Sequence, residues 1–171
     1  MALDRTAKNT IKVLIIIRLT PELVSTINLL KTSKKRLGFV PTMGALHEGH
    51  LSLIAQAKLK TDVVICSIFV NPTQFNDPKD FDRYPKTEAE DCKMLDEAGC
   101  DIVFIPTVNE IYPPDFKKEN FDFGDLEKVM EGAHRPGHFN GVAMVVKRLF
   151  ELVKPDEAFF GLKDYQQYCI I

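Results

Sequence analysis

From Val63 to Val70 the chain reads Val-Val-Ile-Cys-Ser-Ile-Phe-Val, an almost unbroken apolar run rich in β-branched residues. A half-exposed strand alternates polar and apolar side chains; one without alternation is covered on both faces, as in a parallel sheet lying between helices. Leu37 to Val40, Asp101 to Pro106 and Ala158 to Phe160 are further short runs of this kind. The segments between them carry helical spacing. Thr20 reads as an N-cap with Pro21 at the first helical position, and Leu23, Val24, Ile27 and Leu30 follow as one stripe. Thr87-Glu88-Ala89-Glu90 has the capping-box pattern, and Gly99 stands where that helix should close. Between Asn140 and Val153 the residues Val142, Val145, Val146, Leu149, Phe150 and Val153 recur at helical spacing until Pro155. Asn71 to Pro85 reads as a polar loop. Strands separated by helices of this length imply right-handed βαβ units, so the expected fold is α/β, a doubly wound parallel sheet with helices on both faces.

The length of 171 residues suits one domain, since domains cluster at roughly 100–150 residues. With 22 basic and 24 acidic residues the net charge is −2, so no overall field draws in nucleic acid or an anionic membrane, and any anion must be held locally. The early apolar run Val13 to Ile17 is far short of the roughly 20 residues that span a bilayer and has no small-residue cleavage site after it. Cys66, Cys92, Cys100 and Cys169 form no Cys-x-x-Cys pair and read as reduced and structural. A cytoplasmic protein without membrane or nucleic-acid partners is expected.

Leu37 to Val40 runs into Pro41-Thr42-Met43-Gly44-Ala45-Leu46-His47-Glu48-Gly49-His50 and then into Leu51-Ser52-Leu53-Ile54. This is strand, tight turn, helix. At such a junction free backbone N–H groups and the positive end of the helix dipole suit a phosphate. His47 and His50, three apart, share a face of the helix and can both donate to one anion. Ligands of an open α/β sheet bind above the carboxyl ends of its strands, where Asn71 and Gln74, and Gly161, Lys163 and Asp164, also fall.

Several of these residues have plainer readings. Asn71 and Gln74 can be turn residues bonding their own backbone, and Lys163 a solvated lysine. Arg135 and His138 flank Pro136-Gly137 and belong to a loop that can simply cap the next helix. His47, His50, His134 and His138 have zinc-like spacings, but the helix entry at Gly49 and the break at Pro136-Gly137 argue against a shared metal.

The string Pro-Thr-Met-Gly-Ala-Leu-His-x-Gly-His is joined, in order, by Phe69-Val70-Asn71-Pro72-Thr73-Gln74-Phe75, by Arg135-Pro136-Gly137-His138-Phe139-Asn140-Gly141-Val142, and by Phe159-Phe160-Gly161-Leu162-Lys163-Asp164-Tyr165-Gln166-Gln167. Together they resemble the pantoate–β-alanine ligases of the HxGH nucleotidyltransferase superfamily. The resemblance implies a Rossmann-like catalytic domain over residues 1–171 and covers only about the N-terminal three-fifths of a family member. The family's later Ser/Arg-containing loop and its smaller C-terminal domain are absent from the stretch.

What the resemblance implies chemically is that pantoate attacks the α-phosphate of ATP to give pantoyl-adenylate and pyrophosphate, and that β-alanine then displaces AMP. It implies His47, His50 and Lys163 as the catalytic residues, and Pro41, Met43, Gly44, His47, His50, Gly161, Lys163 and Asp164 at ATP. Gln74 and Gln167 would bind pantoate, with Met43 and Phe69 or Phe75 as apolar walls. Asn71, Arg135 and His138 are further candidates. Mg2+ would come with ATP, with Glu90 and Asp91 near the family's acidic positions, although on a capped helix they also suit the dipole. A homodimer is implied. Two other readings stay open: another HxGH nucleotidyltransferase, and a non-catalytic binding or dimerisation module.

Overall fold

A computed structural model describes residues 13–171 of the chain, so the first twelve residues of the expected domain lie outside the described ones. Five strands, β1 (Ile15–Ile17), β2 (Leu37–Thr42), β3 (Val63–Ile68), β4 (Ile102–Phe104) and β5 (Glu157–Ala158), form one parallel sheet in the order β1-β4-β3-β2-β5. The helices are α1 (Thr20–Thr32), α2 (Glu48–Lys60), α3 (Pro78–Arg83), α4 (Glu88–Glu97), α5 (Val108–Ile111), α6 (Met130–His134), α7 (His138–Val153) and α8 (Tyr165–Ile170).

The lack of alternation in the strands has the expected cause. Leu37, Phe39, Ile65, Ile102 and Phe104 join Leu23 and Ile27 of α1 and Val142, Val145 and Leu149 of α7 in one core. Val40, Val64, Cys66, Ile68 and Val103 join Ile54 and Ala57 of α2 and Leu95 of α4 in a second core on the other side of the sheet. The expected α/β architecture with helices on both faces is therefore present. Neighbouring strands β2 and β5 are served by helices on opposite faces, α2 leaving β2 and α7 leading into β5. A crevice opens where connections diverge in this way, at the carboxyl ends of the strands.

Several local expectations need correction. β1 has no counterpart among the expected strands, because its three residues lie at the sheet edge with only Ile17 buried, and a short edge strand has no pattern to display. Thr20 is inside α1 and makes no cap; its hydroxyl donates to the Glu110 carbonyl at 3.1 Å, and Leu19 is the N-cap. Thr87 does precede α4, but its hydroxyl donates to Asp91 at 3.2 Å, so there is no capping box. Gly99 takes up the left-handed conformation expected of it, with φ +73°. The segment that reads as a polar loop holds a 3-10 turn at Pro72–Gln74 and helix α3, capped by the Asp77 carboxylate accepting from Lys79 N at 2.8 Å. His138 opens α7, with Gly137 as its N-cap. Ala158 to Phe160 contributes only Ala158 to β5. The cysteines are free, but Cys169 is exposed on α8 and plays no core part.

Candidate active site

The signature segment leaves β2 through a turn in which Gly44 (φ +82°) and Ala45 (φ +50°) are both left-handed. Glycine takes that conformation without strain, whereas the Cβ of Ala45 must be held there by its surroundings. The holding group is Asp91 of α4, only 2% exposed, whose two carboxylate oxygens accept from Ala45 N at 3.0 Å and Leu46 N at 2.8 Å. His47 then starts α2 as its N-cap, and the two histidines cap the helix for each other. His47 Nδ1 accepts from Gly49 N at 3.0 Å, and His50 Nδ1 accepts from His47 N at 3.3 Å. A neutral imidazole whose Nδ1 accepts carries its proton on Nε2, so both rings present an Nε2–H donor. The rings lie 4.2 Å apart, centroid to centroid.

Where β3 ends, Asn71 is fully buried at the centre of a network. Its Nδ2 donates to Gln74 Oε1 and to the Gly141 carbonyl, each at 3.1 Å, and its Oδ1 accepts from Tyr112 Oη at 3.1 Å and Thr73 Oγ1 at 2.9 Å. Because Asn71 takes up the Gln74 oxygen, the Gln74 amide nitrogen is the end left for a ligand. The backbone of Gln74 is held as well. Its carbonyl accepts from Arg135 Nη2 at 3.2 Å and from the His138 Nδ1–H at 3.0 Å, while Asn76 donates to the Pro136 carbonyl at 3.2 Å. The turn at 135–138 is thus a buckle on the loop that carries Gln74.

These elements enclose a cleft of about 460 Å³. Met43, His47, His50, Phe69, Gln74, Lys163 and Gln167 line it together, and Pro41, Gly44, Gly161 and Asp164 complete the set named from sequence. Its apolar wall also takes in Val142, Val145 and Leu149 of α7 and Phe160, and Tyr84 adds a hydroxyl that sequence reading missed. Phe75 is elsewhere, packed edge-on to Phe81 and Tyr84 at centroid distances of 5.5 and 5.7 Å, so Phe69 is the phenylalanine of the wall. Asn71, Arg135 and His138 stand behind the cleft as supports.

Glu90 and Asp91 do not meet as a metal pair. Glu90 is exposed and away from the cleft, and both Asp91 oxygens are engaged by backbone N–H groups. Among the described residues no three His, Cys, Asp or Glu side chains are grouped to hold a metal ion.

Gln166, buried beside Gln167, also escapes sequence reading. It pins the segment ahead of α6 by donating to the Val129 carbonyl at 2.9 Å and accepting from Glu131 N at 3.0 Å. A polar residue in a run of polar residues carries no signal of burial.

Burial holds the His50 imidazole below its ordinary value, and the charge of His47 adds to this. Burial lowers His138 as well, against the bond to Gln74 O, which raises it. Unfolded rings therefore take up protons at higher pH than folded ones, so this stability is complete above the unfolded imidazole value and is lost as pH falls through the folded values. The melting temperature should drop between about pH 7 and about pH 5. His138→Asn, whose amide can still donate to Gln74 O but does not titrate, should flatten that drop. A wild-type melting temperature constant over the range would contradict the assignment.

Comparison with known proteins gives the family and the fold of the chain. A pantothenate synthetase of Porphyromonas gingivalis is 55% identical over 142 residues, 82% of this chain and 50% of that protein, and one of Cytophaga hutchinsonii is 54% identical over 143 residues with the same shares. The crystal structure of pantothenate synthetase from Thermus thermophilus superposes with a TM-score of 0.84 at 44% identity, covering 91% of this chain and 55% of that one. The pantoate-β-alanine ligase of Francisella tularensis, crystallised in complex with β-γ ATP and β-alanine, gives 0.87 at 42% identity, covering 92% and 60%. The chain spans about half the length of the curated relatives it matches. Residues 15–171 match the family described as pantoate-beta-alanine ligase, and the chain belongs to that family.

Proposed function

We propose that residues 1–171 are the ATP- and pantoate-binding catalytic domain of an enzyme that joins pantoate to β-alanine. A pantoate carboxylate oxygen attacks the α-phosphorus of ATP, the bond to the bridging oxygen breaks, and pyrophosphate leaves. The β-alanine amine then attacks the acyl carbon of pantoyl-adenylate, giving up a proton as AMP departs. Charge grows on the α-phosphoryl oxygens and on pyrophosphate, so positioning and electrostatic stabilisation carry the first step. The Nε2–H groups of His47 and His50 and the Lys163 ammonium supply it. Gln74 and Gln167 hold the hydroxyl and carboxylate of pantoate, with Met43 and Phe69 against its gem-dimethyl group.

The observation that carries the reading is the convergence on one cleft of donors suited to phosphate, two neutral amides and an apolar wall. A phosphorylated second substrate would call for Arg or Lys where the amides stand. Magnesium enters as the counter-ion of ATP, bound by its phosphates, and no step is assigned through it. Free cysteines and dependence on ATP support a cytoplasmic setting. No described helix is long and apolar enough to cross a membrane, and the net charge of −2 offers no general attraction for nucleic acid. The family resemblance supports a homodimer through this domain.

The test is pantoate-dependent ATP–pyrophosphate exchange, measured on residues 1–171 and on the same residues joined to the remaining half of the P. gingivalis relative. Exchange that requires pantoate in the joined protein supports the proposal, and exchange indifferent to pantoate sinks it. In that protein Gln74→Leu keeps the volume but removes donor and acceptor, so pantoate affinity should weaken by about 1–3 kcal/mol while ATP affinity holds. Calorimetry showing unchanged pantoate binding would return Gln74 to the status of a turn residue.

A further inference from the structure

Asp91 is the one carboxylate on the buried side of α4, four residues before Leu95. Its oxygens receive Ala45 N, Leu46 N and the Thr87 hydroxyl, so two of the three bonds the carboxylate accepts come from the signature turn, 46 and 45 residues away in sequence. Its own N–H donates to Thr87 O at 2.8 Å within the first turn of the helix, which fixes the carboxylate on a rigid element. Successive backbone N–H groups of a turn make a cradle for an anion. In this protein the cradle is filled from within. Two backbone donors of the helix entry are also taken by the rings, Gly49 N by His47 Nδ1 and His47 N by His50 Nδ1.

We propose that Asp91 is a positioning residue of the reaction assigned above: an internal anion that occupies the turn, holds Ala45 left-handed, and sends the substrate phosphates to the Nε2–H groups of His47 and His50 and to Lys163. The role rests on the proposed function, because it presumes ATP in the cleft. It differs from generic packing in what it controls. With the carboxylate in place the turn repels a second anion, and the backbone leading into His47 has one setting, from which both rings take the tautomer with the proton on Nε2. Without it, Ala45 has no reason to stay left-handed, and the reciprocal caps that fix the two rings lose their geometry. Thr87, the third donor, touches the carboxylate but not the turn, and is a weaker partner in this scheme.

Histidine ring and backbone NMR on residues 1–171, together with ATP titration, tests the proposal. In the wild-type chain the rings of 47 and 50 should both show a proton on Nε2. ATP should shift those ring signals while leaving the amide protons of residues 45 and 46 nearly unmoved. Asp91→Asn presents an amide NH2 group to one of the two N–H donors. It should give mixed tautomers in at least one ring and weaken ATP binding by about tenfold or more, the scale of one lost bond to a charged group. Thr87→Val should stay within about threefold of wild type, as expected when a weakly coupled partner is lost. Adding Ala45→Gly to Asp91→Asn removes the left-handed strain and should recover part of the affinity.

Unchanged tautomers and affinity in Asp91→Asn, or ATP shifting the 45 and 46 amides more than the rings, would overturn the proposal, the second result without any variant having to fold. Wild-type chain that shows the predicted tautomers but no ATP binding at millimolar concentration would count against the nucleotide reading instead.

Discussion

Replacing His50 with alanine in the joined protein should lower pantoate-dependent exchange by about 10²–10³-fold, the loss expected when one preorganised donor to a transition-state oxyanion is removed. His50 also accepts from His47 N, so the alanine variant removes a helix cap worth about 1 kcal/mol along with the donor. Two further variants separate these effects. Asparagine can place its oxygen where Nδ1 stands and keep the cap without the distal donor, whereas glutamine can reach toward the Nε2 position but loses the cap. The catalytic assignment requires His50→Asn to be nearly as slow as His50→Ala, with a near-normal melting temperature, and His50→Gln to retain more exchange. An Asn variant within tenfold of wild type would show that the ring matters to the helix and not to the phosphate.

Gly141→Ala should be the most damaging small change to the cleft. A Cβ at this position in α7 would lie 2.3 Å from the Thr73 carbonyl oxygen, 2.8 Å from its carbon and 3.1 Å from Gln74 N, all backbone atoms. No rotamer relieves a clash with backbone, so either α7 or the 71–75 loop must move. Overpacking of this sort costs about 1–3 kcal/mol or more. The same movement breaks the bond from Asn71 Nδ2 to the Gly141 carbonyl and so releases the Gln74 amide. Thermal melting should show the stability loss, and calorimetry a loss of pantoate affinity at least as large as that of Gln74→Leu. Wild-type stability and affinity in this variant would mean that the close approach of α7 to the loop is not required.

Each part of the architecture that can be read from residues has a strong local cause. The apolar runs at Leu37 and Val63 predict covered parallel strands because burial on both faces leaves no alternation. The stripe from Val142 to Val153 predicts α7 for the same kind of reason. β1 is invisible because an edge strand of three residues, two of them exposed, carries no such imprint. Helix α3 is hidden by its polar composition, since a short helix on the surface has no apolar stripe to announce it.

For the site, local sequence determined the strand-turn-helix that carries His47 and His50, because turn chemistry and helix entry are settled within a few residues. Tertiary structure alone decided how the donors are shared. Asp91 looks like a first-turn carboxylate on a helix dipole until α4 is brought against the turn that follows β2, and only then does it take the N–H groups that the turn would have offered to phosphate. Gln74 looks like a loop amide until Asn71, Arg135 and His138, from 3 to 64 residues away along the chain, fix both its backbone and its side chain. Phe69 and Phe75 are equivalent in sequence, and only packing separates the one on the cleft from the one against Phe81 and Tyr84. A hydrogen bond between distant residues leaves no periodicity behind it, so its partners become known only when the sheet has placed them.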